Sequence, residues 1–168
     1  MEEELKKAAA NVLERCSARG LKVCTAESCT GGLVASSIVA IPHASRSFLG
    51  SAVAYCDDSK IRLLGVSRDT LKNKSAESAE CAREMAVGAA RLFGADIAVS
   101  TTGFLDANTG EKPAHLGGRV FFCVCVKSPS NSAFDFDSCS LSLDTNALRN
   151  ANRAEAALTA LNLVLSKI

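Results

Sequence analysis

The fold class expected from the sequence is a three-layer α/β/α sandwich around a mixed central sheet, and three observations point to it. Helix-like and strand-like segments alternate along the chain. Residues 77–93 carry a stripe of mostly small side chains (Ala79, Ala82, Met85, Ala86, Ala89, Ala90, Phe93), which suits close packing of a helix on a sheet. Two strand-like runs, 119–127 and 133–143, are joined by the turn Ser128-Pro129-Ser130-Asn131, so a late hairpin makes the sheet mixed rather than purely parallel.

The elements follow in order. Residues 2–19 place Leu5, Ala8, Ala9, Val12, Leu13 and Cys16 at helical spacing and stop at Gly20, a good C-cap. A β-prone run at 21–25 leads to a break, and a helix-prone run at 33–41 leads out of it. Residues 48–55 read as a strand and 59–64 as a short helix stopped by Gly65. After the long helix, Gly94 precedes a buried-looking strand at 96–101, and 103–118 is a polar loop containing Asn108, Gly110 and Pro113. A final helix is expected over about 145–166, with Ala157, Leu158, Leu161 and Leu165 facing inward. There is no internal repeat, low-complexity tract or linker, and 168 residues suit one domain spanning 1–168.

Nineteen Lys and Arg against eighteen Asp and Glu leave no broad positive field, and no basic cluster interleaved with aromatics occurs, so nucleic acid is not the expected ligand. Apolar stretches break before membrane-spanning length, and Glu2, Glu3 and Glu4 stand where a signal peptide would be basic. A soluble, cytoplasmic protein is expected. The eight cysteines fall mostly in apolar runs with no Cys-x-x-Cys, the pattern of buried reduced thiols. Cys123 and Cys125 share a strand face, yet with only two histidines, His43 and His115, no metal site is expected.

The chemistry concentrates at Glu27-Ser28-Cys29-Thr30-Gly31-Gly32. A strand that breaks at small polar residues and two glycines before a helix gathers backbone N–H groups, a hydroxyl and a carboxylate around one point, suited to an anion or a reacting carbonyl. Tyr55 with Lys60, and Thr101-Thr102-Gly103, also lie at strand ends, where ligands sit in layered α/β folds. Ser28 and Lys60 could form a nucleophile and base pair if burial leaves some lysine neutral; a solvated lysine at a helix start is the ordinary alternative. Ser28 or Thr30 could instead serve as an N-cap. Cys29 is a rival nucleophile that lacks a histidine partner. The glycine pair costs helix stability and suggests close approach of a ligand or of another backbone.

These residues resemble a known family. Thr25-Ala26-Glu27-Ser28-Cys29-Thr30-Gly31-Gly32, then Phe48-Leu49-Gly50 leading to Tyr55 and Lys60, then Leu64-Gly65-Val66, are similar to the CinA C-terminal domain family, whose active members are nicotinamide mononucleotide deamidases. Ala82, Met85, Ala86, Gly88, Gly94-Ala95-Asp96, Thr102-Gly103 and Lys112-Pro113 keep the family order, so the likeness covers nearly the whole chain.

The resemblance implies a metal-free and cofactor-free amidohydrolase acting on a small-molecule nucleotide. Ser28 would attack the amide carbonyl, Lys60 would take its proton and assist departure of ammonia, and Tyr55 would orient or tune the pair. N–H groups at the start of the second helix would hold the oxyanion. Glu27, Cys29, Thr30, Gly31, Gly32, Thr102 and Gly103 would line the substrate site, and a homodimer or higher homo-oligomer is implied.

Two departures stand out. Where the family follows Thr-Gly with Ile-Ala-Gly-Pro, this chain has Phe104-Leu105-Asp106-Ala107-Asn108, which removes N–H access and adds a charge that repels phosphate. The family's Gly-Asp-Arg appears as Leu143-Asp144-Thr145, and Arg149 survives as a phosphate contact. The leading expectation is thus nicotinamide mononucleotide hydrolysis; the others are a non-catalytic nucleotide- or partner-binding homologue, and an amidase for a less anionic amide.

Overall fold

The structure, a computed structural model, describes residues 1–128 and 133–168. Its helices are α1 (Glu2–Ala18), α2 (Leu33–Val39), α3 (Asp57–Leu64), α4 (Arg68–Lys74), α5 (Ala79–Phe93) and α6 (Arg149–Leu165). The strands β1 (Val23–Glu27), β2 (Phe48–Val53), β3 (Ile97–Gly103), β4 (Arg119–Lys127) and β5 (Phe134–Ser142) form one sheet in the order β2-β1-β3-β4-β5. β1 runs parallel to both β2 and β3, while β4 and β5 add antiparallel pairs. The mixed three-layer α/β/α sandwich is therefore the architecture observed.

Alternation along the strands builds two cores. Val23, Ile97, Val99, Val120, Phe122 and Val124 face α1, α2 and α6. Cys24, Ala26, Ala98, Cys123 and Cys125 face the other way, against Ala82, Met85, Ala86, Ala89 and Ala90 of α5. Small side chains on both sides of that contact bring the helix close to the sheet. Where α5 meets α3, Gly88 is required: a Cβ there would lie 1.9 Å from the carbonyl oxygen of Leu64.

Several boundaries move. The strand expected over 48–55 ends at Val53, and the following helix starts at Asp57 because Cys56 and Ser59 cap it reciprocally. α5 begins at Ala79 after the N-cap Ser78, whose Oγ accepts from Cys81 N at 3.1 Å, and Ala79 is exposed rather than on the packed stripe. α4 was not expected: it buries no residue fully and is marked only by its Ser67 cap. The last helix starts at Arg149 rather than near 145; Ala157 and Leu161 are buried, Leu158 and Leu165 partly so. The polar loop before β4 holds a single 3₁₀ turn, Ala114–Leu116. Of the turn expected at 128–131, residues 129–131 lie outside the described residues.

All eight cysteines are free; six are buried as expected, whereas Cys56 and Cys139 are exposed. No helix among the described residues is long and apolar enough to cross a membrane.

Candidate active site

β1 lies between β2 and β3, and the connection leaving β1 runs to β2 while that leaving β3 runs the other way to β4, so the two diverge between neighbouring strand ends. Such a switch point opens a crevice beyond the strand ends. Ser28, the first residue past β1, extends the ladder by donating its N–H to Thr101 O at 2.9 Å. On the other side Ala54 N donates to Glu27 O at 2.8 Å. Ser28 is thus held from both neighbouring strand ends.

Lys60 comes from the first turn of α3 and reaches back under the loop. Its Nζ donates to Ser28 Oγ at 2.8 Å and to Ala54 O at 3.1 Å. Lys60 is only 2% exposed, and no carboxylate lies within ion-pairing distance among the described residues. The surface reading of this lysine is excluded. Ser28 and Lys60 open together into a cavity of about 380 Å³, within the size range of small-molecule sites. A larger groove of about 930 Å³ lies between α3, α4 and α5 but lacks both groups, so size does not mark the chemistry.

Glu27 is fully buried and turned away from this cavity. Its carboxyl accepts from Val34 N at 3.0 Å, Ala35 N at 2.8 Å and Thr30 Oγ1 at 2.7 Å. It caps α2 from outside the helix, because no side chain at the N-cap, Gly32, can do so. The helix-start amides expected to hold an oxyanion are therefore already occupied. Thr30 is equally internal, bonded to Glu27 and at 2.7 Å to Thr101 Oγ1. Ser28 and Thr30 are not helix caps.

Gly31 and Gly32 do not line the cavity either, and the reason for them differs from the one expected. Both adopt left-handed backbone (φ +58° and +90°), and a Cβ at Gly31 would touch nothing within 4 Å. Two consecutive left-handed residues turn the chain from strand into helix, which glycine does without strain. Among the described residues no neighbouring backbone lies within 4 Å of a Cβ built at either position.

Thr102 is buried and donates to Ala76 O at 2.7 Å, fastening the segment before α5; Gly103, one residue on, does line the cavity. Tyr55 lines the same cavity, but from its exposed rim. β2 ends before it, the backbone turns outward into α3, and the side chain is 64% exposed. Its hydroxyl accepts from Arg149 Nη2 at 3.3 Å and makes no hydrogen bond to the Ser28–Lys60 pair. The buried contact that positions Lys60 is instead the Ala54 carbonyl, a backbone group that residue types do not reveal.

Cys29 lines the cavity beside Ser28, but burial pushes its thiol up to about 12. It stays protonated near neutral pH and is a poor nucleophile there. Of the amides in this turn, those of Ser28 and Gly31 are occupied, and no other described residue accepts from Cys29 N. The amides of Thr30 and Gly32 likewise have no acceptor among the described residues, and that of Cys29 is the one adjacent to Ser28 in the chain.

At the rim, Arg149 forms an ion pair with Asp106. Asp106 is fixed in turn: its Oδ1 accepts from Asn108 N at 3.0 Å, and its carbonyl from Gly118 N at 2.9 Å. The preceding Leu105 is buried, and Asn152 Nδ2 donates to Leu105 O at 2.6 Å. Asp57, at the start of α3, and Glu77, just before the Ser78 cap of α5, complete the charged lining; neither carried a separate signal in the sequence. Among the described residues no group of three or more His, Cys, Asp or Glu is arranged to hold a metal ion.

The family model for the CinA C-terminal domain matches residues 5–168. A putative competence-damage inducible protein of Caldicellulosiruptor saccharolyticus is 43% identical over 125 residues, 74% of this chain and 30% of that protein. Protein MG115 of Mycoplasma genitalium is 40% identical over 75% of this chain and 77% of its own length. The chain thus spans under a third of the first relative and about three quarters of the second. The crystal structure of a competence damage-inducible protein A from Klebsiella pneumoniae superposes with a TM-score of 0.86 at 29% identity, covering 97% of this chain and 95% of that one. With Ser28 and Lys60 meeting at one crevice and the match running nearly end to end, the chain belongs to the CinA C-terminal domain family.

Proposed function

We propose that this chain is an amidohydrolase that cleaves the carboxamide of a nicotinamide ribonucleoside, with or without its 5′-phosphate as in nicotinamide mononucleotide, releasing ammonia and the corresponding acid. The observation that carries the reading is the buried 2.8 Å contact between Lys60 Nζ and Ser28 Oγ at the cavity floor. A lysine held there without a carboxylate partner is arranged for proton transfer rather than for an ion pair.

Ser28 Oγ attacks the carboxamide carbon as its hydroxyl proton passes to Lys60 Nζ. The Cys29 N–H is the donor best placed along the chain to meet the developing oxyanion. The tetrahedral intermediate collapses as the Lys60 ammonium returns the proton to the leaving nitrogen, the C–N bond breaks, and ammonia departs from an ester on Ser28. Water then attacks that ester with Lys60 again taking a proton, and the carboxylic acid is released with Ser28 restored.

The reading includes self-association: β2 and β5 are open sheet edges, and Leu49, Val53 and Phe136 are exposed on them. The non-catalytic alternative has the substituted loop in its favour, but it leaves the buried contact between Ser28 and Lys60 without a use. The test is ammonia release by wild type, Ser28→Ala and Lys60→Ala. Loss in both variants is expected, and turnover that persists in Ser28→Ala would exclude the assigned nucleophile.

A further inference from the structure

We infer that the mouth of this cavity selects a cationic, phosphate-free carboxamide, an N-ribosylpyridinium amide rather than its 5′-phosphate, with Asp106 as the specificity-determining residue. The inference rests on the amidase reading for what happens to the carboxamide, but not for which ligand the mouth admits.

The cavity is lined by three carboxylates, Asp57, Glu77 and Asp106, against two cations, Lys60 and Arg149. Lys60 is engaged at the floor with Ser28 and Ala54. Glu77 accepts from Ser75 Oγ at 2.6 Å and is reached from outside the lining by Lys112 at 3.8 Å. Arg149, the guanidinium at the rim, is paired with Asp106 and also donates to Tyr55. Among the described residues no lining cation is therefore left for a phosphate.

A phosphate that took Arg149 would displace the Asp106 carboxylate and then face it. Asp106 cannot easily retreat, because its loop is anchored by Leu105 in the core, by the Asn152 and Gly118 hydrogen bonds and by the Asn108 turn. Two negative groups brought together at a partly desolvated mouth repel strongly. A pyridinium ring without phosphate meets no such conflict and is complementary to the exposed Asp57.

The direct test is calorimetric binding of nicotinamide riboside and of nicotinamide mononucleotide at low salt, where charge effects are least screened. Ser28→Ala serves as host so that binding is read without turnover. The riboside is expected to bind about tenfold more tightly than the mononucleotide. Adding Asp106→Asn is expected to move that ratio toward the mononucleotide by about tenfold. Asn keeps the oxygen that accepts from Asn108 N, and an unchanged unfolding temperature would verify that the loop survives.

Equal or tighter binding of the mononucleotide, binding of neither ligand, or a ratio indifferent to Asp106→Asn would each overturn the inference. Ammonia release by the wild type is measured separately. A riboside preference without hydrolysis of either compound would sink the amidase reading and leave this one standing.

Discussion

Glu27 shows how far a residue's role depends on the direction of its neighbours. Beside Ser28 in the sequence it resembles a substrate contact, yet its carboxyl satisfies two first-turn amides of α2 and the Thr30 hydroxyl. Glu27→Ala is therefore expected to cost roughly 2–4 kcal/mol, since buried donors lose their acceptor. Urea unfolding reads this directly. A variant with wild-type stability and only a raised KM would instead return Glu27 to the substrate. Residue type made Ser28 and Lys60 candidates, but the bare pattern left a helix N-cap and a solvated lysine open, and it was the family resemblance that singled out the pair. The Ala54 carbonyl was not legible, and neither was the outward turn of Tyr55, because both depend on β2 ending at Val53. Asp106 was legible as an unusual charge, while its pairing with Arg149 needed the fold to bring residues 43 apart in sequence together.

At the level of elements, the contact between Ser28 and Lys60 depends on how α3 is seated. Its N-terminus is set by the Cys56–Ser59 cap and its C-terminus by contact with Gly88 of α5, and Lys60 lies between them. Gly88→Ala would drive a methyl group into the Leu64 carbonyl, and overpacking of this kind costs about 1–3 kcal/mol. α3 must shift to relieve it, so ammonia release is expected to fall more than tenfold even at temperatures where the variant remains folded, a loss of over about 1.4 kcal/mol in barrier terms. Undiminished turnover with lowered stability would show that Lys60 is insensitive to the seating of its helix. α1 was readable almost residue by residue, the six positions singled out at helical spacing being the six that are buried. α4 was not, because a helix that buries no residue fully leaves no apolar stripe to read.

Across the whole molecule the two cores differ in chemistry. The α5 side is lined by Cys24, Cys81, Cys123 and Cys125 among alanines. Burial pushes the thiols of Cys24, Cys29, Cys81 and Cys125 up to about 12, and that of Cys16 to about 11, from an ordinary 9.0. Their contribution to stability is complete below pH 9 and is lost as pH rises through those raised values, because the unfolded thiols ionise first. Unfolding free energy is expected to fall from pH 9 upward by as much as about 1.4 kcal/mol per pH unit for each such thiol. A flat profile from pH 8 to 11 under reducing conditions would contradict it. The layered class was legible from the alternation of elements, whereas the strand order, and with it the switch point at the end of β1, required three-dimensional pairing. That switch point is where Ser28 and Lys60 meet, and the central claim is that they act together on a carboxamide. The most direct measurement is ammonia release from nicotinamide riboside and nicotinamide mononucleotide by wild type, Ser28→Ala and Lys60→Ala, each verified as folded. Release by the wild type from at least one compound, abolished in both variants, is the expected result; release that survives in either variant, or none from the folded wild type, would contradict the claim.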